Sequence, residues 1–412
     1  MKKFLCVVCA ALLLCTGLAA QDAPYVILVS FDGFRHDYVE RFNLPRFKEF
    51  IGRGSSSKGL IPSFPSKTFP NHYSLVTGLY PGNHGLVNNE FYDPAKEEFY
   101  SMDLKQRLID PYYYSGTPLW KLAMQNHIKC ASFFWVGSEI PDEGFHPDYY
   151  LPYEESVPFE DRVDQVFEWL RLPERERPHF ITLYFSSPDH ESHRFGPLSA
   201  EARAATVRID SILGQLMDGL NGLDLPVNVL LVSDHGLKEL KVKDETYIFL
   251  DEIMNINDPS VIAVNAGSQV HFYLRDEAQK DSLAAALKSV SNNFSVLEPK
   301  EFPAEWHYDH ERVGDLLIVA HSGHYFRDKD RATYMRGRKR GDTFGVHGYD
   351  PDSEQDMVGI FYASGPNIKK GIELPAFRNV HVYPLIARIL NVSTPPVDGK
   401  MEILLSIYQQ SR

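Results

Sequence analysis

Several short apolar runs punctuate the chain, each ending at a polar residue with chemical capability. Tyr25 to Phe31 runs into Asp32, Phe180 to Phe185 leads to Asp189, and Val227 to Val232 leads to Asp234 and His235. Asp315 to Ala320 and Val358 to Ala363 add two further candidates. Near-continuous apolarity over so few residues predicts strands covered on both faces. Helical patterns lie between them. Pro158 to Leu172 places Val163, Val166, Phe167 and Leu170 on one stripe, with Pro158 suited to a helix start. Ser199 to Leu220 does the same with Val207, Ile212, Leu213, Leu216 and Leu220, and Val380 to Leu390 predicts a closing helix. Strands alternating with helices imply an α/β fold with a largely parallel central sheet and helices on both faces.

The rhythm breaks between residues 238 and 345, where a smaller α/β pattern appears: a strand at Gln269 to Leu274, then a helix near Asp281 to Val290. This segment is expected to be an inserted lobe. The first residues are set aside from the fold. Lys2 and Lys3, the apolar stretch Phe4 to Leu14 and the small residues to Ala20 predict a signal peptide over residues 1–20, leaving 21–412 as the catalytic domain. That stretch is too short for a hydrocarbon core, which takes about 20 apolar residues, and no later run suffices, so no transmembrane segment is expected. Cys15 raises a lipid-anchored alternative, but Leu14 stands where a small residue is wanted. Cys130 alone remains beyond the leader, in an apolar run that suits a buried structural thiol. An exported chain without an internal disulfide fits a bacterial periplasm or extracellular location, and the acceptor-like tripeptides at Asn293 and Asn391 then carry no meaning.

Charge narrows the partners. The net charge is −13, which opposes stable nucleic-acid binding. The exception is 327–340, with seven basic residues, read as a solvated loop or as a basic wall near His347.

In an open sheet of this type, ligands bind beyond the carboxyl ends of the strands. Asp32, Asp189, Asp234 and His235 all fall there. Asp189 and His193, four apart, share a face if their segment is helical, and Gly345-Val-His347-Gly348 adds a third imidazole. Three acids and three imidazoles without thiolate form a mixed donor set sized for two divalent cations, best suited to zinc. His190 is the residue most easily confused with a ligand, and the pairs His307/His310 and His321/His324 have metal-like spacing but no carboxylate companions. A nucleophile is sought in Phe64 to Tyr73, where prolines stiffen a hydroxyl-bearing turn and a helix is expected from Ser74. Ser66, Thr68 and Ser74 are not separable on spacing alone.

The segments Ser30 to Gly33, Lys67-Thr68-Phe69-Pro70-Asn71-His72, Thr77 to Pro81, His84 to Asp93, Phe134 to Glu139, Pro188 to His193, Ser233 to Gly236 and Gly345 to Gly348 resemble the nucleotide pyrophosphatase/phosphodiesterase family of the alkaline phosphatase superfamily. The resemblance covers essentially all of the chain beyond the leader. It implies an alkaline phosphatase-like fold, two Zn2+ ions and a monomeric enzyme acting on small nucleotide-type substrates. One zinc would be held by Asp189, His193 and His347. The other would be held by Asp32, Asp234 and His235, with Thr68, the nucleophile, bridging towards it as a further ligand. Asn89 would bind a non-bridging phosphoryl oxygen, with Asn88 the fallback. Phe69 and Tyr153 would sandwich a base, and Lys67 would touch phosphate. Val136 and Glu90 depart from the family pattern at the nucleotide pocket, which leaves a lysophospholipid or choline-phosphodiester hydrolase as the alternative within the family.

Overall fold

The computed structural model describes residues 24–328, 331–332 and 342–410. The expected leader with Cys15, and most of the basic stretch 327–340, lie outside the described residues.

Eight strands form the central sheet, in spatial order Glu373–Leu374, Ser55–Ser57, Phe361–Ser364, Val227–Val232, Tyr25–Phe31, Phe180–Phe185, Cys130–Phe133 and Tyr149–Leu151. Among them only Phe361–Ser364 runs against the rest, pairing antiparallel with both of its neighbours. The largely parallel sheet expected from the apolar runs is therefore present. Side chains of the first strand divide by parity, because successive residues of a strand point to opposite faces. Val26 and Leu28 enter one core with residues of the helices Thr68–Thr77, Leu119–Gln125 and Val382–Ile389. Tyr25, Ile27, Val29 and Phe31 enter another with the helices Pro45–Arg53, Phe159–Leu170 and Ala200–Asn221. Helices thus cover both faces.

Ser199 caps Ala200–Asn221 by accepting the Ala202 N–H at 3.1 Å. Val207, expected on its buried stripe, is instead 41% exposed, and Ile209 is buried in its place. Thr206, Ile209, Leu213 and Leu216 define the true phase, with the three- and four-residue steps of a helix face. The helix expected from Ser74 starts earlier, at Thr68. Pro70 does not prevent this, since a first-turn residue needs no N–H partner within the helix.

Asp315 to Ala320 does form a strand, Leu316–Ala320, but outside the central sheet. It belongs to a four-stranded antiparallel sheet in the order Val261–Asn265, Gln269–Leu274, Leu316–Ala320, Phe294–Leu297. This sheet has its own core of Val270, Phe272, Leu316 and Ile318, with Ala284 and Leu287 from the helix Lys280–Ser289. An apolar run alone does not say which of two sheets buries it. Lys238–Lys241 and Thr343–Val346 pair antiparallel, Lys238 opposite Val346, and so bring the two ends of the intervening segment together. His347 follows directly. Cys130 is buried, and burial pushes its thiol pKa up, as suits a packing residue.

Candidate active site

Three adjacent parallel strands deliver the acids. Tyr25–Phe31 lies between Val227–Val232 and Phe180–Phe185, with Ser30 opposite Val232 and Phe31 opposite Phe185. The chain beyond each carboxyl end therefore opens on the same side. Asp32 follows the first strand, Asp234 the second, and Asp189 begins the helix Asp189–Phe195 after the third. The Asp189 N–H donates to the Asp32 carbonyl at 3.1 Å. Gly33 makes this approach possible: its φ is +67°, and a Cβ there would sit 2.8 Å from Asp189 Cβ.

Around these acids stand three imidazoles with one shared arrangement. His193 Nδ1 faces the Gly345 carbonyl at 2.9 Å, His235 Nδ1 the Gly236 carbonyl at 3.1 Å, and His347 Nδ1 the Ser66 carbonyl at 2.8 Å. A ring nitrogen facing a carbonyl oxygen must donate, so each proton sits on Nδ1 and each Nε2 presents a lone pair. Such a backbone brace is the usual companion of a metal-binding histidine. His193 Nε2 lies 3.4 Å from Asp189 Oδ2, while His235 Nε2 lies 3.0 Å from Asp234 Oδ2 and 3.6 Å from Asp32 Oδ1. The His235 and His347 rings stack at 3.7 Å.

One oxygen of each acid, Asp32 Oδ1, Asp189 Oδ1 and Asp234 Oδ2, is buried without a hydrogen-bond partner. Burial, with the charges of the neighbouring acids, holds Asp32 and Asp234 well above the usual carboxylate range, and burial raises Asp189 to about 7. Left to themselves, three such carboxylates repel one another and lack solvation. Divalent cations would remove both penalties, so the residues fit the metal chemistry that their composition suggests.

The geometry gathers Asp189, His193 and His347 into one candidate ligand group, as the family resemblance implies. The second expected group is less separate. Asp32 and His235 converge with Asp189, and Asp32 and Asp234 converge with His72, so the groups share members. His72 was not anticipated as a neighbour of the site. Its Nδ1 donates to the Thr68 carbonyl at 2.9 Å, and the Ser30 hydroxyl donates to Nε2 at 2.8 Å. Nδ1, the nitrogen 3.4 Å from Asp234 Oδ2, carries the proton and offers no lone pair toward the acids, so the ring acts as a brace.

Thr68 occupies the first residue of its helix, where backbone N–H groups favour negative charge. Its Oγ1 is 3.1 Å from His235 Nε2. The rival hydroxyls are engaged elsewhere: Ser66 Oγ donates to the Tyr349 carbonyl, and Ser74 Oγ meets His84. Asn89 accepts the Phe69 N–H through Oδ1 at 2.9 Å, which leaves its Nδ2 as the donor. Asn88, the fallback, is buried and bonded to His271. Lys67, Asn89, Glu90, His193 and His347 border one groove of about 280 Å³. Lys67 Nζ donates to the Ala266 carbonyl at 2.8 Å, and burial lowers its pKa to about 8. Tyr153 is 46% exposed and packs on Phe134 and Tyr184, while Phe69 packs against the core. Tyr184 was also not foreseen: its hydroxyl donates to Asp32 Oδ2 at 2.7 Å. Its position near the end of Phe180–Phe185, inside the third acid-bearing run, was the available signal.

His190 stands outside the candidate groups, exposed and 3.9 Å from Glu155. His307 stacks on Tyr80, His310 accepts the Arg312 N–H, and His321 meets Ser295. None of these joins a ligand group among the described residues.

Comparison with known proteins agrees with this architecture. Residues 26–350 match the family model described as type I phosphodiesterase / nucleotide pyrophosphatase. The chain is 35% identical to human ectonucleotide pyrophosphatase/phosphodiesterase family member 1 over 92% of its own length and 41% of the relative's, so it spans less than half of that protein. It is 33% identical to an uncharacterized pyrophosphatase/phosphodiesterase of Schizosaccharomyces pombe, over 92% of this chain and 79% of the relative. Among solved structures, murine ectonucleotide pyrophosphatase / phosphodiesterase 5 superposes with a TM-score of 0.85 at 29% identity, covering 94% of this chain and 100% of that one. That structure is an inactive threonine-to-alanine form in complex with AMP. The chain belongs to the type I phosphodiesterase / nucleotide pyrophosphatase family.

Proposed function

We propose that this chain is a two-zinc hydrolase that cleaves nucleotide pyrophosphates and phosphodiesters, such as nucleoside triphosphates, dinucleotides and nucleotide sugars, to nucleoside monophosphates. One observation carries the reading: three acids, each with a buried unpartnered oxygen, gather with three imidazoles braced through Nδ1, beside a hydroxyl at a helix start. The AMP in the murine neighbour supports a nucleotide ligand. In this reading Asp189, His193 and His347 would hold one cation, and Asp32, Asp234 and His235 would hold the other. Bound there, the cations would supply Lewis-acid charge that lowers the hydroxyl's pKa and offsets negative charge on the phosphoryl oxygens.

The remaining work falls to the chain's own groups. Thr68 gives its hydroxyl proton to water and Oγ1 attacks phosphorus in line; the new Oγ1–P bond forms as the P–O bond to the leaving group breaks, and the leaving oxygen departs with that electron pair. Asn89 Nδ2 donates to a non-bridging oxygen, where a positioned donor acts most strongly in the transition state. Phe69 and Tyr153 hold the base, and Lys67 Nζ, with hydrogens beyond the one given to Ala266, contacts phosphate. Water then displaces Thr68 from the phosphothreonine-type intermediate in a second in-line step. We place the activity in residues 21–412 with an inserted lobe over 238–345, and the protein outside the cytoplasm as a monomer.

The test is a panel of esters: a nucleoside-monophosphate nitrophenyl ester, nitrophenyl phosphate, a choline phosphodiester and a sulfate ester, each with and without chelator. The nucleotide diester should turn over fastest and chelator should abolish it. Faster turnover of the simple monoester or the choline diester would overturn the substrate assignment, and chelator-insensitive activity would overturn the metals.

A further inference from the structure

Asn89, one of the groups that touch substrate in this reading, is tied to the antiparallel sheet through two residues that the mechanism above does not use, Asn88 and His271. His271 lies on the strand Gln269–Leu274 and is fully buried, as is Asn88. His271 Nδ1 faces the Val313 carbonyl at 2.9 Å, so that nitrogen carries the proton and Nε2 accepts. Asn88 Nδ2 donates to this Nε2 at 3.0 Å. The Asn88 amide is thereby oriented, and its Oδ1 accepts the Asn89 N–H at 2.8 Å. Flipping the amide would set an NH2 group against an N–H and an oxygen against a lone pair, with no solvent to relieve either. Burial holds the His271 pKa down, at about 4, so the ring stays neutral and accepting at ordinary pH.

Asn89 is held a second time, through Oδ1, by the Phe69 N–H one residue past Thr68. Its backbone answers to the antiparallel sheet and its side chain to the nucleophile's helix. The same strand region also steadies a candidate ligand: Ser268 Oγ donates to the His347 carbonyl at 3.0 Å.

We propose that His271 and Asn88 are positioning residues that fix the Asn89 amide toward the phosphoryl group, so that the antiparallel sheet sets transition-state stabilisation through them. The proposal rests on the Asn89 assignment above, and the experiment separates the two. Asn89→Ala, His271→Phe and the double variant are compared by kcat and KM on the nucleoside-monophosphate nitrophenyl ester, with metal content and unfolding temperature measured alongside. His271→Gln, whose side-chain oxygen can accept where Nε2 did, serves as the rescue. Asn88→Ser, which cannot reach His271, gives a second route to the same bond should His271→Phe not fold.

Asn89→Ala should lose about 10²- to 10³-fold in kcat, the usual cost of one such donor. His271→Phe and Asn88→Ser should each lose about 10- to 100-fold in kcat at nearly unchanged KM, as small misplacements of a catalytic group do. His271→Gln should recover most of this. In the Asn89→Ala background neither substitution should cost more, because the donor they position is gone. Losses of equal size in both backgrounds, or wild-type kcat in His271→Phe or Asn88→Ser, would overturn the proposal. A harmless Asn89→Ala would instead overturn the Asn89 assignment.

Discussion

Removing the cations should leave buried carboxylates whose cost to this protein's stability grows as pH rises, and the size of the effect can be worked from Asp189. Its ordinary pKa of 3.8 is raised to about 7, first by burial, with Glu191 adding to the rise and Lys67 opposing it. A carboxyl whose pKa is higher folded than unfolded favours the fold while protonated. Its contribution is complete below about pH 4 and is lost as pH climbs through about 7. A shift of about three units corresponds to about 4 kcal/mol, an upper figure because the side chain is 17% exposed. Asp32 and Asp234 shift in the same direction, so their losses add at higher pH. Cations reverse the sign, since they bind the ionised carboxylates and their binding releases protons. The assay is thermal unfolding in chelator and in saturating zinc, from about pH 5 to about pH 8. Buried His72, His84, His271 and His381, whose pKa values burial lowers, add stability with rising pH in both states, so the quantity to read is the gap between the zinc-loaded and the chelated protein, which should widen with pH. Asp189→Asn, which cannot ionise, should remove part of the chelated protein's loss around pH 7. A gap that narrows with rising pH, or a chelator without effect anywhere, would refute the reasoning.

The other expectations are more local. Tyr184→Phe removes the hydroxyl that donates to Asp32 Oδ2, and zinc affinity measured by competition with a chelator should drop about 10- to 100-fold. Within the helix Asp189–Phe195, His193→Ala should nearly abolish activity while His190→Ala leaves it close to wild type, because only His193 turns toward the acids. Tyr153→Ala should raise KM for the nucleotide ester by about tenfold, in line with the loss of an aromatic stacking partner, while kcat changes little. An equal effect on a diester lacking a base would remove Tyr153 from base binding.

The acid-bearing strands were legible because parallel strands buried on both faces read as short apolar runs, and their ends stand out as the first polar residues. The same signal could not tell the central sheet from the second one, so Leu316–Ala320 was placed only by its pairing with Gln269–Leu274. Helix phase was read correctly for Phe159–Leu170 but slipped at Val207, where the neighbouring Ile209 satisfies the stripe better. The start at Thr68 was hidden by Pro70, which reads as a breaker although a first-turn position tolerates it. Motif residues named the hydroxyl that spacing could not. Their bracing did not show in sequence at all: the carbonyls of Ser66, Gly236 and Gly345 fix three tautomers, and backbone acceptors carry no residue signature. The contact between Asn88 and His271 spans 183 positions and ties a loop residue to the antiparallel sheet, beyond any local pattern.

Thr68 takes the phosphoryl group before water does, and stereochemistry at phosphorus reads this out, with a nucleoside phosphorothioate diester of defined configuration hydrolysed in isotopically labelled water. Two successive in-line displacements, the first by Thr68 Oγ1, predict net retention of configuration. Net inversion would mean that water attacks the substrate directly, and would contradict the account.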